Sequence, residues 1–224
     1  MRAAPGQGAE PVDVATRETT VEVEALRVRL CQTAGLERHV DREALLRDEV
    51  PDEPPYWMHL WPGAIAAARL VAREGALPAG ARVLELGCGL GLPAIVAATR
   101  GARVVASDWH RAPLAFVRRS ARLNHCRVEL VQMDWAAPAV RGPFDLCLGA
   151  DVAYDAGAEA ALVAALCELV APAGQVWLAD SVNTARHTLI ERLRAQGFSI
   201  AVRQVREWEE ERPVWVRVIE GRRQ

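Results

Sequence analysis

From residue 81 onward, short apolar runs alternate with helical patterns. ARVLEL (81–86), RVVAS (103–107), RVELVQ (127–132), FDLCLGA (144–150) and QVWLAD (175–180) read as short strands buried in a sheet. Between them lie LPAIVAATRG, a helix closed by Gly101, and helical stretches over 112–124, 159–170 and 184–196, the last capped by Thr184. The final two strands, FSIAVRQV and RPVWVRVIE, follow one another with no helix between them, so they form a hairpin and one strand opposes the rest. This rhythm predicts an α/β fold with a mostly parallel sheet covered on both faces.

The first third of the chain is less regular. Residues 1–18 are rich in Pro, Gly, Ala and acids and read as a loose tail. Residues 20–30 alternate with period two, which predicts a strand or hairpin, and residues 41–48 predict a brief helix capped by Asp41. PDEPP then interrupts regular structure, and Pro62 opens an Ala-rich helix ending near Gly75. The organisation expected is one domain, with residues 19–78 packed as an extension on a core of residues 79–224.

With 51% apolar and 25% charged residues among 224, the chain is not wholly disordered. All 27 basic residues are arginine, set against 29 acids. A net charge of −2 gives no reason to expect a nucleic-acid partner. The five cysteines form no CxxC pair, so free thiols in a reducing compartment and no metal site are expected. The N-terminus lacks the apolar core of a signal peptide, and the apolar stretches near 64–72 and 160–169 are broken by Arg69 and Glu168. A cytoplasmic protein without a membrane partner is the expectation.

The strongest local signal is Glu85-Leu86-Gly87-Cys88-Gly89-Leu90-Gly91, placed between the first buried strand and its helix. Glycines there permit a tight turn and close approach of a ligand to the backbone. The nicotinamide fingerprint needs a glycine where Leu92 stands, so that reading fails. Asp108, 21 residues beyond Gly87, ends the second strand of this core and can accept hydrogen bonds from both hydroxyls of a ribose. Asp134-Trp135 ends the third strand, where a carboxylate could receive an adenine amino group and an indole could cover the ring. Three strand ends therefore point to one nucleoside-shaped ligand. Taken singly, Asp108 could cap a helix, Asp134 could be a loop acid and Trp135 could be core; Cys88 reads as a small packed side chain.

Glu85-x-Gly87-x-Gly89-x-Gly91 with Asp108, Asp134-Trp135 and a closing hairpin resembles the class I S-adenosylmethionine-dependent methyltransferases. Tyr56-Trp57 and Trp61-Pro62-Gly63 ahead of an Ala-rich helix, and Asp151-Val152-Ala153-Tyr154 after the fourth strand, are similar to the seven-β-strand protein-lysine methyltransferases, in particular the branch acting on the electron-transfer flavoprotein β subunit. The resemblance implies a Rossmann-like three-layer sandwich with a seven-stranded, mostly parallel sheet and a C-terminal antiparallel β-hairpin. It implies S-adenosylmethionine as cofactor, with Glu85, Gly87, Gly89 and Gly91 at its methionine end, Asp108 on the ribose, Asp134 and Trp135 on the adenine, and Trp61 alongside. Asp151 and Tyr154 would be the catalytic pair where methyl group and acceptor meet. Ala179-Asp180-Ser181-Val182 departs from the D-P-G-R toward which the flavoprotein-directed branch tends.

The activity implied is methyl transfer to lysine side chains of a protein partner. The alternatives are a small-molecule acceptor for N- or O-methylation, and a non-catalytic cofactor-binding module acting through protein contacts. RNA as acceptor is disfavoured, because no basic tract is present and the loop after the fourth strand lacks a Pro-Pro-Tyr type motif. His110 reads as polar lining or as solvent-facing, and His59 carries no assignment. Glu207-Trp208-Glu209-Glu210-Glu211, at the last hairpin, reads as a solvated turn, with an acidic docking edge for a basic partner as the sharper alternative.

Overall fold

The computed structural model describes residues 15–34, 56–73, 75, 77–152, 156–181, 187–209 and 211–224. Residues 1–14 of the tail expected over 1–18, the helix expected over 41–48 with its cap Asp41, the PDEPP break, Tyr154, Thr184 and Glu210 lie outside the described residues. Residues 16–18 are not tail but paired strand, with Thr16, Arg17 and Glu18 opposite Thr33, Gln32 and Cys31. The chain opens with a two-stranded antiparallel hairpin, β1 (Thr16–Val23) and β2 (Leu26–Thr33). A single 3-10 turn, Tyr56–Met58, leads to α1 (Pro62–Ala72). The core then alternates β3 (Arg82–Leu86), α2 (Leu92–Thr99), β4 (Arg103–Asp108), α3 (Arg111–Leu123) and β5 (Val128–Gln132). It continues through β6 (Phe144–Ala150), α4 (Ala156–Leu169), β7 (Val170–Ser181), α5 (His187–Ala195), β8 (Phe198–Glu209) and β9 (Arg212–Arg223).

The seven-stranded sheet has the order β5-β4-β3-β6-β7-β9-β8. The first five strands in that row are parallel, and β9 runs antiparallel to both β7 and β8. This is the sandwich with one opposed strand that the sequence implies.

Alternation along each central strand builds a core on both faces. Val83, Leu146, Leu148, Trp177, Ala179, Val216 and Val218 point to the side covered by α1, α2, α3 and the N-terminal hairpin. Leu84, Leu86, Cys147, Val176, Leu178 and Ile219 point to the side of α4 and α5. Each Val, Leu or Ile among them contributes about 1.5–3 kcal/mol when fully buried. The N-terminal hairpin is fastened to α3 through its backbone: Cys31 N donates to Ser120 Oγ (2.9 Å) and Arg29 N to Asn124 Oδ1 (3.0 Å).

Two strands run further than the hydropathy pattern predicts. β7 starts at Val170, directly after α4, because Val170 pairs with Phe144 before the register shifts to Leu146 opposite Gln175. Residues between form a bulge, with Ala173 in the left-handed region (φ 60°). The β8–β9 ladder continues to Glu209 opposite Arg212, so residues 207–209 are paired strand and not a solvated turn.

Candidate active site

Between β3 and β6 the chain reverses its direction of growth across the sheet, running outward through β4 and β5 and then returning to the other side of β3. Such a switch opens a crevice at the carboxyl ends of the strands. The glycine loop fills its floor, with Gly87, Gly89 and Gly91 all at positive φ (63°, 49° and 70°). A Cβ on Gly87 would lie 2.8 Å from Val152 Cγ1 and 3.4 Å from Trp135 Cζ2. Segments following β3, β5 and β6 thus meet at one glycine.

The loop is held by two acids from neighbouring strands. Glu85 is 1% exposed, and its Oε2 accepts from Ala94 N (2.9 Å) in the first turn of α2, so it supports the loop from below. Burial pushes its carboxyl up to about 8, opposed by that backbone hydrogen bond and reinforced by Asp108. Asp108 accepts from Gly89 N through Oδ2 and from His110 N through Oδ1, both at 3.0 Å. The His110 side chain is exposed, and its backbone N–H donates to Asp108. Cys88 is buried in the core, and burial pushes its thiol well up, as suits a packed side chain.

Trp135 is half-buried against the α4 side of the core, within reach of Gly87. Asp134 is exposed, and its Oδ1 accepts from Ala136 N (2.9 Å), which shapes the turn that presents the indole.

On the other side of the crevice stands Asp151, in the left-handed region (φ 51°) immediately after β6. Its Oδ2 accepts from Gly63 N (2.9 Å) at the start of α1, and its Oδ1 from Ser181 N (2.7 Å) at the end of β7. A Cβ on Gly63 would collide with Asp151 Oδ2 and with Ala179 O, so only glycine lets the helix approach. Burial raises the Asp151 pKa; the Ser181 and Gly63 hydrogen bonds oppose this, and the charge of Glu209 adds to it.

The segment before α1 closes this side. Trp57 packs on Phe116 of α3 (ring centroids 5.1 Å apart) and its backbone passes over Gly89. Trp61 donates from Nε1 to Tyr56 O (2.8 Å) and meets the edge of His59 at 4.8 Å. His59 Nε2 in turn contacts Glu209 Oε1 at 3.1 Å. Sequence reasoning missed the parts played by Gly63, Ser181 and Glu209. Gly63 stood in the recognised Trp-Pro-Gly triplet and Ser181 in the strand end already marked as a departure; Glu209 was singled out only within the acidic run 207–211, with no signal that it meets His59. Glu207 is likewise drawn inward, paired with Arg69 (Nε–Oε1 3.2 Å), which overturns the solvated-turn expectation for this part of the hairpin.

The sheet order, the glycine loop at the switch point and the opposed last strand define the class I methyltransferase fold. Among solved structures, the Thermus thermophilus 16S rRNA N2 G1207 methyltransferase superposes with a TM-score of 0.66 at 16% identity, over 96% of this chain and 53% of that one. The chain belongs to the lysine methyltransferase family, whose model matches residues 55–193. It is 34% identical over 129 residues to the histone-arginine methyltransferase METTL23 of Xenopus laevis, covering 54% of this chain and 55% of the relative. It is 32% identical over 135 residues to the electron transfer flavoprotein beta subunit lysine methyltransferase of Danio rerio, covering 60% and 48%. The chain thus spans about half the length of these two relatives.

Proposed function

We propose that this chain is an S-adenosylmethionine-dependent N-methyltransferase acting on lysine side chains of a protein. The observation that carries the reading is the meeting of three strand ends at Gly87, with the Asp108 carboxylate on one side and the half-buried Asp151 on the other. The donor set fits the cofactor: Asp108 sets a carboxylate, the group that suits ribose hydroxyls, at the end of the strand beside the glycine loop, the three glycines carry no side chains over their backbone, and Trp135 presents an indole beside Asp134. Gly87, Gly89 and Gly91 would hold the methionine end, Glu85 would act there through the loop it supports, and Trp61 would border the cofactor from the N-terminal side. When bound, S-adenosylmethionine supplies an electrophilic methyl group, and positive charge passes to the acceptor as the methyl leaves.

The chain's own task is to hold a neutral amine in line. Deprotonating a lysine of pKa near 10.4 at neutral pH costs about 4–5 kcal/mol. The Asp151 carboxylate accepts from Gly63 N, from Ser181 N and from the Ser181 side chain, which fix its orientation, and its proposed role is to capture and orient the incoming amine. Its negative charge favours the ammonium, whereas the burial that pushes its own pKa up favours the neutral amine. Tyr154, three residues on, is proposed to shape the acceptor pocket.

Incubating the purified protein with methyl-labelled cofactor and lysate from host cells lacking it tests this reading. Label in a protein band is expected. Label confined to the small-molecule fraction would overturn it in favour of a metabolite acceptor. A second reading, arginine as the acceptor residue, is favoured by the 34% identity to a histone-arginine methyltransferase. The reaction would then proceed at the same Asp151.

A further inference from the structure

We propose that two copies of this chain pair through β8, antiparallel, about a two-fold axis at Val205, so that two seven-stranded sheets join into one. The inference goes beyond the methyltransferase reading and does not depend on the reaction. Its first support is the sheet edge itself. β8 ends the row of strands, and among the described residues no strand other than β9 pairs with it. Its ladder with β9 runs without a register shift from Phe198 opposite Arg223 to Glu209 opposite Arg212. An edge strand of that length is normally protected by a proline, a bulge or unsatisfied charges. β8 carries neither proline nor bulge, and two of its charges are turned to partners within the chain. Arg203 meets Glu220 at 2.7 Å and Glu207 meets Arg69 at 3.2 Å.

The second support is the apolar surface beside that edge. Among the described residues, the large apolar side chains left exposed are Val202 (43%), Trp208 (56%) and Trp215 (55%), all on the β8–β9 hairpin. Alternation sets Val202, Gln204, Arg206 and Trp208 on one face of β8, and Trp215 of β9 lies opposite Arg206 on that face. The Arg206 guanidinium lies over the Trp208 ring at 5.2 Å. Trp and Arg are the side chains that most often anchor protein interfaces, and apolar exposure gathered on one hairpin marks a contact surface.

The third support is register, which makes a second copy the matching partner. A two-fold contact applies the same surface to itself. With the axis at Val205, Val202 of each copy lies opposite Trp208 of the other, and Gln204 lies opposite Arg206. On the reverse face Arg203 lies opposite Glu207. Apolar thus meets apolar twice, and no like charges oppose one another along 202–208. Moving the axis to Gln204 sets Val202 against Arg206 and separates the two apolar side chains. Moving it to Arg206 sets that guanidinium against its own copy. The overhang of the hairpin leaves room for the pairing: Val205 lies opposite Val216, which lies opposite Ser181 at the end of β7, so residues 206–208 run on beyond that strand. Those residues of each copy would cover residues 202–204 of the other.

Sedimentation velocity of the full-length chain between about 1 and 100 µM tests the pairing. The wild type is expected to approach twice the mass of one chain as concentration rises. Val202→Lys and Trp208→Glu each set a charge against an apolar partner and should raise the dimer dissociation constant at least about tenfold. Both positions are exposed in a single chain, so the circular dichroism spectrum should stay unchanged. The double variant brings the two new charges, of opposite sign, face to face across the axis, and it should dimerise more tightly than either single variant. A wild type that stays monomeric throughout would leave this edge to another protein and overturn the inference. Dimers of unchanged affinity in both single variants would also overturn it, as would a double variant no tighter than the single ones.

Discussion

Asp151 is a structural group, and in the proposed reading a binding one as well. Replacing it by alanine leaves Gly63 N and Ser181 N without their acceptor, and each unsatisfied N–H costs about 1–3 kcal/mol. Asp151→Ala should therefore melt earlier in a thermal scan and show no turnover, while its S-adenosylmethionine affinity by calorimetry stays nearly unchanged. A loss of cofactor affinity as large as the loss of turnover would remove Asp151 from the acceptor side. Glu85 makes a separate prediction about pH. Its carboxyl is lifted from the ordinary 4.5 to about 8 by burial, so across that window it stays protonated in the folded chain and ionises in the unfolded one. The unfolded state then binds fewer protons, and stability falls as pH rises. Urea unfolding of the wild type against Glu85→Gln should show the wild type losing ground by up to about 4 kcal/mol between pH 4.5 and 8. A difference independent of pH would contradict it.

At the level of elements, the seat of α1 on the sheet is the most sensitive joint. The helix begins Pro62-Gly63, presents Ala66, Ala67 and Ala68 to the core, and rests its first turn against Asp151 and Ala179. Gly63→Ala should cost about 1–3 kcal/mol by pushing the helix off, and should lower turnover with it. Wild-type stability and rate in that variant would show that the helix is not seated as described. The helix itself was legible from Pro62 and the alanine run, as were the seven core strands from their short apolar runs. So were the glycine loop and Asp108, because a βα turn followed by an acid at the next strand end is a local pattern. Contacts made by residues far apart in sequence were not legible. Glu209 reaches His59 across 150 positions, and a run of acids at a hairpin reads as solvated until Arg69 and His59 are seen to draw two of them inward. The bulge after α4 was equally hidden, since Ala-Pro-Ala-Gly reads as a loop and not as strand.

For the whole molecule, α1 and the end of β7 close one side of the switch point, with Gly63 and Ser181 both bonded to Asp151. In the proposed reading this is the acceptor side, and the glycine loop with Asp108 is the cofactor side. The composition adds a practical consequence: all 27 basic residues are arginine, so the chain contains no lysine to methylate on itself. Methyl-lysine formed in its presence must lie on another protein, whereas label on its own band would mark chemistry at a group other than a lysine side chain. The most direct test is therefore to identify the methylated residue. A protein band labelled in host lysate is excised, digested and sequenced by mass spectrometry, with heavy-methyl cofactor as the source of label. Heavy methyl groups on lysine of that band are the predicted result, and heavy methyl groups found only on arginine would contradict it.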